Sequence, residues 1–253
     1  MKYLLIFLIL FSGFLFSQKT IHVFVALCDN KYQGIVPVGA KIGNGQDPKN
    51  NLYWGCGYGV KNFFKVKSPQ WKLVKTILNP KTHILERCIF KYATQNTYLV
   101  ADAYDGQYIK ETTMDFFSAV SGNLKDSAQL DSTKYLQIGG NSKLVCYIGH
   151  DGLMNFELDS VAYHSDKITR RAIILACISR SYFKDGLRSA GATPLLWTTG
   201  LMAPEAYTLE AAVNGWLEGK KDADIREMAA QAFSKYQKKC SIKASRNLLV
   251  TGW

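Results

Sequence analysis

The sequence predicts an α/β fold in three layers, with a mostly parallel central sheet and helices on both faces. Apolar runs of strand length alternate along the chain with segments of helical periodicity, which is the pattern of α/β proteins. The two clearest runs cover residues 143–150 and 171–177. Each is continuously apolar rather than alternating, which is typical of a strand buried on both faces in a parallel sheet. With 253 residues and 47% hydrophobic content, the chain is long enough for a good-sized core.

The first 17 residues are expected to lie outside this fold. Lys2 precedes an apolar run that is too short to span a bilayer and resembles a secretory signal peptide, with cleavage after Ser17. An uncleaved membrane anchor is the alternative. No later segment has the length and apolarity of a membrane span, and nothing resembles a domain linker. We therefore expect an exported protein, periplasmic or secreted, whose residues 18–253 form a single domain.

The elements follow from apolar spacing and from Gly and Pro punctuation. Besides the two runs above, strands are expected at residues 21–27, 71–78, 84–92, 97–103 and 193–199. Asn79–Pro80 separates the strands expected at 71–78 and 84–92, which could form a hairpin or an edge extension. Helices are expected from near Asn51, carrying Val60, Phe63 and Phe64 inward, and at 109–120, 160–170, 181–189, 205–217 and 222–239. The polar residues 123–141 are expected to be irregular.

A long loop follows the first strand. Residues 28–59 are rich in Gly, Pro, Asn and Asp, and loops of this length inside a compact domain are commonly functional or disordered. Trp54 and its neighbours Tyr53 and Tyr58 argue against disorder, because aromatic side chains favour burial or a ligand. The loop is not a phosphate-binding loop, since no Lys-Ser/Thr pair follows its glycines.

Two reactive side chains end the two clearest strands, His150 in one and Cys177 in the other. The segment between these two strands is long enough for a crossover helix, so the strands could lie side by side and parallel. Both residues would then emerge at the carboxyl edge of the sheet. A His beside a Cys can withdraw the thiol proton and create a nucleophile. Each residue considered alone has a simpler, structural interpretation. His150 would be a hydrogen-bonded residue at a strand end, and Cys177 a small buried hydrophobic residue.

The motifs Tyr147-Ile-Gly-His150-Asp-Gly152 and Leu175-Ala-Cys177-Ile-Ser179 resemble those of the caspase-like cysteine peptidases, a group that includes clostripain, gingipains and CHAT-type domains. The resemblance covers roughly residues 97–238 in strand order. It implies a caspase-like fold, His150 and Cys177 as the catalytic dyad, and an oxyanion hole from the backbone amides of Cys177 and of Gly152 or Asp151. The family places Gly directly after the His, where this chain has Asp151, and often Asp before Ala-Cys, where it has Leu175.

Acidic residues near the same edge are candidates for binding a basic substrate side chain. Asp102 and Asp105 end the preceding strand, and Asp151 follows the candidate histidine. Both Asp102 and Asp105 are equally interpretable as caps of the next helix, and Asp151 as a turn residue. Trp54 in the Gly-rich loop is the fourth candidate substrate-binding residue.

These observations lead to one functional hypothesis and two alternatives. The first is an exported cysteine peptidase acting on a peptide or protein substrate through Cys177 and His150. The second is a non-catalytic domain of the same fold that binds a ligand through the aromatic loop at residues 51–64. The third is another thiol amidase directed at the cell envelope, which would share the dyad.

Charge and cysteine usage narrow the possible partners. The net charge is +11, but Lys and Arg are scattered and no nucleic-acid-binding motif is present, so no nucleic-acid partner is expected. The spacing of His and Asp fits no common zinc motif, and no metal or cofactor is predicted. Of six cysteines, Cys177 is predicted to be unpaired in a narrow opening walled by residues 51–64, and Cys146 to be buried and reduced. The other four permit three disulfide pairings, with unpaired, buried thiols as the alternative. Oligomeric state is left open.

Overall fold

The computed structural model describes residues 18–160 and 162–253, so the predicted signal peptide lies outside the described residues. The strands are β1 Lys19–Ala26, β2 Trp71–Lys81, β3 Ile84–Tyr92, β4 Thr97–Tyr104, β5 Lys125–Gln129, β6 Tyr135–Gly139, β7 Leu144–Ile148, β8 Arg171–Leu175, β9 Thr193–Thr198 and β10 Leu249–Val250. The helices are α1 Val60–Val66, α2 Ile109–Val120, α3 Ser179–Ser189, α4 Ala206–Leu217, α5 Asp222–Tyr236 and α6 Ile242–Leu248.

Eight strands form the central sheet, in the order β10-β9-β8-β7-β1-β4-β3-β2. The five inner strands from β9 to β4 run parallel, and the antiparallel strands lie outside them. The two edges are the eleven-residue β2 and the two-residue β10. The predicted mostly parallel sheet is therefore confirmed.

Helices cover both faces of this sheet and complete the three layers. One face packs against α1, α4 and α5 through residues such as Phe64, Tyr207 and Phe233. The other packs against α2 and α3 through Phe116 and Phe183. A separate antiparallel hairpin, β5–β6, covers part of that second face. No helix in the described part of the chain combines the length and apolarity needed to cross a membrane.

Several elements match their sequence-based expectations closely. The helix α2 has the predicted bounds, and β2 and β3 form the expected hairpin. Asn79–Pro80 does not end β2; the pairing register shifts there instead. The helix predicted from near Asn51 begins only at Val60, with Val60, Phe63 and Phe64 buried as expected.

Three expectations about the second half of the chain are wrong. Residues 123–141 are not irregular, because they contain the β5–β6 hairpin. Residues 160–170, where described, contain no helix; the segment is held as a loop by buried Arg170, which donates to the Gly140 carbonyl and to Asp166. The last predicted helix ends at Tyr236, and α6 and β10 follow it unpredicted.

Candidate functional site

Neighbouring parallel strands bring His150 and Cys177 to the same edge of the sheet. In the β7–β8 pairing Ile148 lies opposite Leu175, and the Gly149 N–H donates to the Leu175 carbonyl at 3.2 Å. Each candidate residue therefore lies two positions beyond a paired residue, at the carboxyl end of its strand. Both side chains are partly buried. This edge is where open α/β sheets bind their ligands.

Cys177 lies in a tight turn from β8 into α3. Ile178, the residue after it, has a left-handed conformation with φ of 51° and ψ of 28°, which is unfavourable for a β-branched side chain. Ser179 and Thr198 hold the turn: the Ser179 N–H donates to Thr198 Oγ1 at 3.1 Å, and the Thr198 N–H to Ser179 Oγ at 3.0 Å. Strain maintained by surrounding bonds is characteristic of functional positions.

The Cys177 sulfur is hydrogen-bonded to the backbone of Met202, in the segment after β9. The Met202 N–H donates to Sγ at 3.4 Å, and Sγ lies 3.6 Å from the Met202 carbonyl oxygen. Burial raises the pKa of the Cys177 thiol above its ordinary value; the Met202 bond opposes this and the charge of Asp151 adds to it. The thiol is therefore protonated at neutral pH.

The His150 ring is oriented by a neighbour that the sequence did not single out. The ring Nε2 lies 2.7 Å from Asn155 Oδ1. The backbone carbonyl of His150 accepts a hydrogen bond from the Tyr147 hydroxyl at 2.9 Å. Burial lowers the pKa of His150, which the Asn155 bond partly offsets, so the imidazole is neutral at pH 7. Within the described residues, the ring and the Cys177 thiol share no hydrogen bond.

Asp151 is a buried carboxyl group beside this pair. It has no exposed surface, and one oxygen accepts a hydrogen bond from the Leu153 N–H at 3.1 Å. The other oxygen has no hydrogen-bond partner among the described residues. Burial raises the pKa of Asp151 to about 7. Its charge acts on the Cys177 thiol, which places this carboxyl near the nucleophile.

Three backbone amides just beyond the ends of β7 and β8 are unengaged. Among the described residues, the N–H groups of Cys177, Asp151 and Gly152 have no acceptor within the protein. A Cβ on Gly152 would come within 2.5 Å of the Phe156 ring, so the close approach of this backbone requires glycine. Free amides at a sheet edge can stabilise a developing oxyanion.

The other candidate binding residues lie elsewhere. Asp102 is fully buried within β4 and bonded by Arg87 and His22, so it does not face a substrate. Asp105 caps the turn after β4 by accepting from the Gln107 N–H, as its alternative interpretation predicted. Trp54 has no exposed surface and donates to Glu86 at 2.9 Å, so it is a core residue rather than a binding surface.

The Gly-rich loop is ordered and contributes one residue near the thiol. Asn51 anchors it to the end of β1 through bonds to both backbone groups of Cys28, at 3.0 and 2.8 Å. Burial and the neighbouring thiols Cys28 and Cys177 raise the pKa of the Tyr53 hydroxyl, which places Tyr53 beside the nucleophile. All six cysteines are free, and Cys146 is fully buried as predicted.

Comparison with known proteins adds no relative. A scan against protein-family models, a search of curated proteins and a search of solved structures each found no match. The likeness to caspase-like peptidases thus stays a prediction from the two motifs. Within the described residues, no group of three or more His, Cys, Asp or Glu side chains is arranged to hold a metal ion.

Proposed function

We propose that the chain is an exported caspase-like cysteine peptidase in which Cys177 is the nucleophile and His150 its base. The observation that carries the proposal is the matched placement of the two residues, at equal height beyond paired positions of adjacent parallel strands. The strained turn at Ile178 and the free amide of Cys177 within it support the same interpretation.

The directions of the two pKa shifts favour a neutral dyad over a preformed thiolate–imidazolium pair. His150 would take the thiol proton as the sulfur attacks the peptide carbonyl, forming the S–C bond. The carbonyl oxygen, now negative, would accept hydrogen bonds from the amides of Cys177 and Gly152. His150 would then protonate the leaving amine, and water would hydrolyse the thioester. Catalytic hydrogen bonds commonly tighten only when substrate binds, which accommodates the absent thiol–imidazole bond.

Asn155 would be a positioning residue in this scheme. If its Oδ1 accepts the Nε2 proton of His150, the other ring nitrogen, Nδ1, carries no proton and is available as the base. The Asn155→Ala variant should lower kcat more than it raises KM, and its pH–rate profile should shift. An unchanged profile would leave Asn155 with a purely structural role.

The central test compares cysteine variants of the purified protein on a peptide library and with a thiol-directed peptide probe. We expect Cys177→Ala to lose cleavage and active-site labelling, and His150→Ala to lose cleavage. Cys56→Ala, which removes another partly buried free thiol, is the matched control and should keep both activities. Cleavage that survives Cys177→Ala would end the proposal. Export is tested separately, by fractionating the expressing cells and locating the protein.

A non-catalytic domain of the same fold is the second candidate, favoured by the raised pKa of the thiol and the absent thiol–imidazole bond. Ligand binding without turnover across the library would support it. Because Trp54 is buried, such a ligand would contact the loop through exposed residues such as Tyr58. A thiol amidase of the cell envelope shares the dyad, and cleavage of envelope peptides but not of ordinary ones would identify it.

A further inference from the structure

A solvent-open surface cavity of about 340 Å³ has Met202, a hydrogen-bonding neighbour of the candidate nucleophile, in its lining. It lies between the segment after β9 and the end of α5, and α6 contributes Leu248. Its size is at the lower end of the range of about 300–1,000 Å³ for small-molecule sites, which suits one large side chain rather than a whole peptide.

The cavity and the nucleophile share a residue. Met202 lines the cavity, and its backbone N–H and carbonyl are the groups bonded to the Cys177 sulfur. Adjacent residues of an extended peptide are about 3.3–3.6 Å apart along the chain. A peptide whose carbonyl reaches the Cys177 sulfur therefore has a neighbouring side chain within reach of this cavity.

The lining is mainly apolar, with Leu201, Met202, Phe233 and Leu248 as its large side chains. Lys239 is the one charged side chain among the lining residues that the structure describes. The Glu205 carboxylate behind this lining is already engaged by the Gln237 amide and the Tyr207 hydroxyl. A Lys or Arg side chain of a substrate would therefore face the like charge of Lys239. Of the three acidic residues expected to attract such a substrate, Asp102 is bonded to Arg87 and Asp105 caps a turn, and neither these two nor Asp151 lines the cavity.

One wall is fixed before any ligand binds. The Gln237 side-chain amide donates to Glu205 at 3.1 Å and to the Tyr207 hydroxyl at 2.9 Å, and Tyr207 stacks on Tyr236 at 4.6 Å between ring centroids. A preformed wall reduces the entropy lost on binding.

We infer that this cavity is a specificity site that binds a large apolar side chain of a peptide substrate, next to the bond that is cut. The inference rests on the proposed function. It replaces the basic substrate side chain expected from the sequence by an apolar one. It also gives Met202 two roles. Its backbone N–H donates a hydrogen bond to the Cys177 sulfur, and the same residue lines the cavity.

The test uses peptides that differ only at the residue before the scissile bond. We expect the wild-type protein to cleave Leu, Phe or Met peptides with kcat/KM at least about tenfold above Lys or Arg peptides, the order of selectivity that one apolar pocket provides. Ala203→Trp, which fills the cavity, should abolish this preference. A preference for Lys or Arg in the wild-type protein would overturn the inference.

Charge reversal gives a milder variant with a matched control. Lys239→Glu should raise the relative kcat/KM for Lys and Arg peptides by about tenfold, because it replaces repulsion by attraction. Lys235→Glu makes the same change four residues earlier, where the side chain lines a separate groove beside Asn214, and should leave the preference unchanged. Equal effects of the two variants would overturn the assignment of the cavity.

Peptide binding to the Cys177→Ala protein separates the two proposals. Tighter binding of apolar than of basic peptides that are never cleaved by the wild-type protein would support the cavity and end the peptidase proposal. Cleavage with no apolar preference would keep the peptidase and overturn the cavity. The absence of both binding and cleavage would overturn both.

Discussion

Asp102 and Asp151 are both carboxylic acids with no exposed surface, yet they differ in their surroundings. Asp102 lies in the middle of the sheet, where Arg87 donates to its two oxygens at 2.6 and 2.7 Å and His22 Nε2 lies 3.0 Å away. Because the Gly139 N–H donates to His22 Nδ1, the proton of this ring is on Nε2 and points to Asp102. Asp151 has one backbone donor and an oxygen without a partner among the described residues.

The two environments move the pKa values in opposite directions. Burial opposes ionisation of Asp102, but the bonds from Arg87 and His22 outweigh it and hold the pKa of Asp102 below its ordinary value. Burial is largely unopposed at Asp151 and raises its pKa to about 7. A folded chain that neutralises one buried charge and leaves another uncompensated locates a candidate site at the second.

The largest expected effect is on folding stability at Asp102. Asp102→Ala should destabilise the protein by about 3–5 kcal/mol, because it leaves the buried Arg87 charge with only the more distant Asp126, at 3.4 Å, as a partner. Urea unfolding followed by circular dichroism measures the change. Glu227→Gln is the control, since it breaks an exposed two-bond pair with Arg246 and should have a much smaller effect. Similar losses in the two variants would remove the distinction between buried and exposed pairs.

The next effect is the pH dependence of stability at Asp151. The folded protein holds this proton up to about pH 7, whereas the unfolded chain loses it near 3.8. Folding stability therefore falls as pH rises between these values and then levels off, because the folded state binds more protons than the unfolded state. Asp151→Asn removes this loss, so its gain in stability over wild type should be about 2–3 kcal/mol greater at pH 8 than at pH 5.

Unfolding curves of both proteins across this pH range provide the measurement. A constant difference between Asp151→Asn and wild type at all pH values would show that the Asp151 carboxyl does not titrate in this window. The amide keeps an oxygen to accept from the Leu153 N–H, so the turn itself should be preserved.

The smallest expected effect is on the reactivity of the Cys177 thiol. The Asp151 charge raises the pKa of this thiol, so Asp151→Asn should lower it and increase alkylation by iodoacetamide several-fold near pH 8. Asp115→Asn is the control, because burial also raises the pKa of that carboxyl but it lies against Tyr104 on the face of the sheet. The same acceleration in the control would make the effect non-local.

The sequence predicted those parts of the fold that have a clear periodic pattern. Strand β7 is continuously apolar, β8 is apolar after Arg171, and α2 has a regular apolar face, so the sequence predicts their positions closely. The β5–β6 hairpin has no clear sequence pattern, because it packs inward through few apolar residues and also turns Asp126 toward Arg87, 39 positions away in the chain. An inward-facing charge disrupts strand alternation, and its distant partner is not visible in a local pattern.

The same limit applies to the candidate site. His150 and Cys177 could be found because each directly ends an apolar strand. Asn155 and Met202 could not, since one lies in an irregular turn and the other acts through its backbone, which is chemically the same in every residue but proline. The local sequence cannot show that Asp102 is already paired, because Arg87 lies on a neighbouring strand.

The long edge strand β2 has a consequence for the behaviour of concentrated solutions. Its outer side could pair with the same strand of another molecule and start an aggregate, and Leu78 is 71% exposed there. Exposed Lys72 carries a charge that two such strands would bring together, whereas the charge of Lys81 is paired with Asp126 at 2.8 Å. Pro80 removes one amide donor, and the positive φ of 47° at Asn79 distorts the strand beside it. Features that look like defects in β2 thus disfavour edge-to-edge pairing of two molecules.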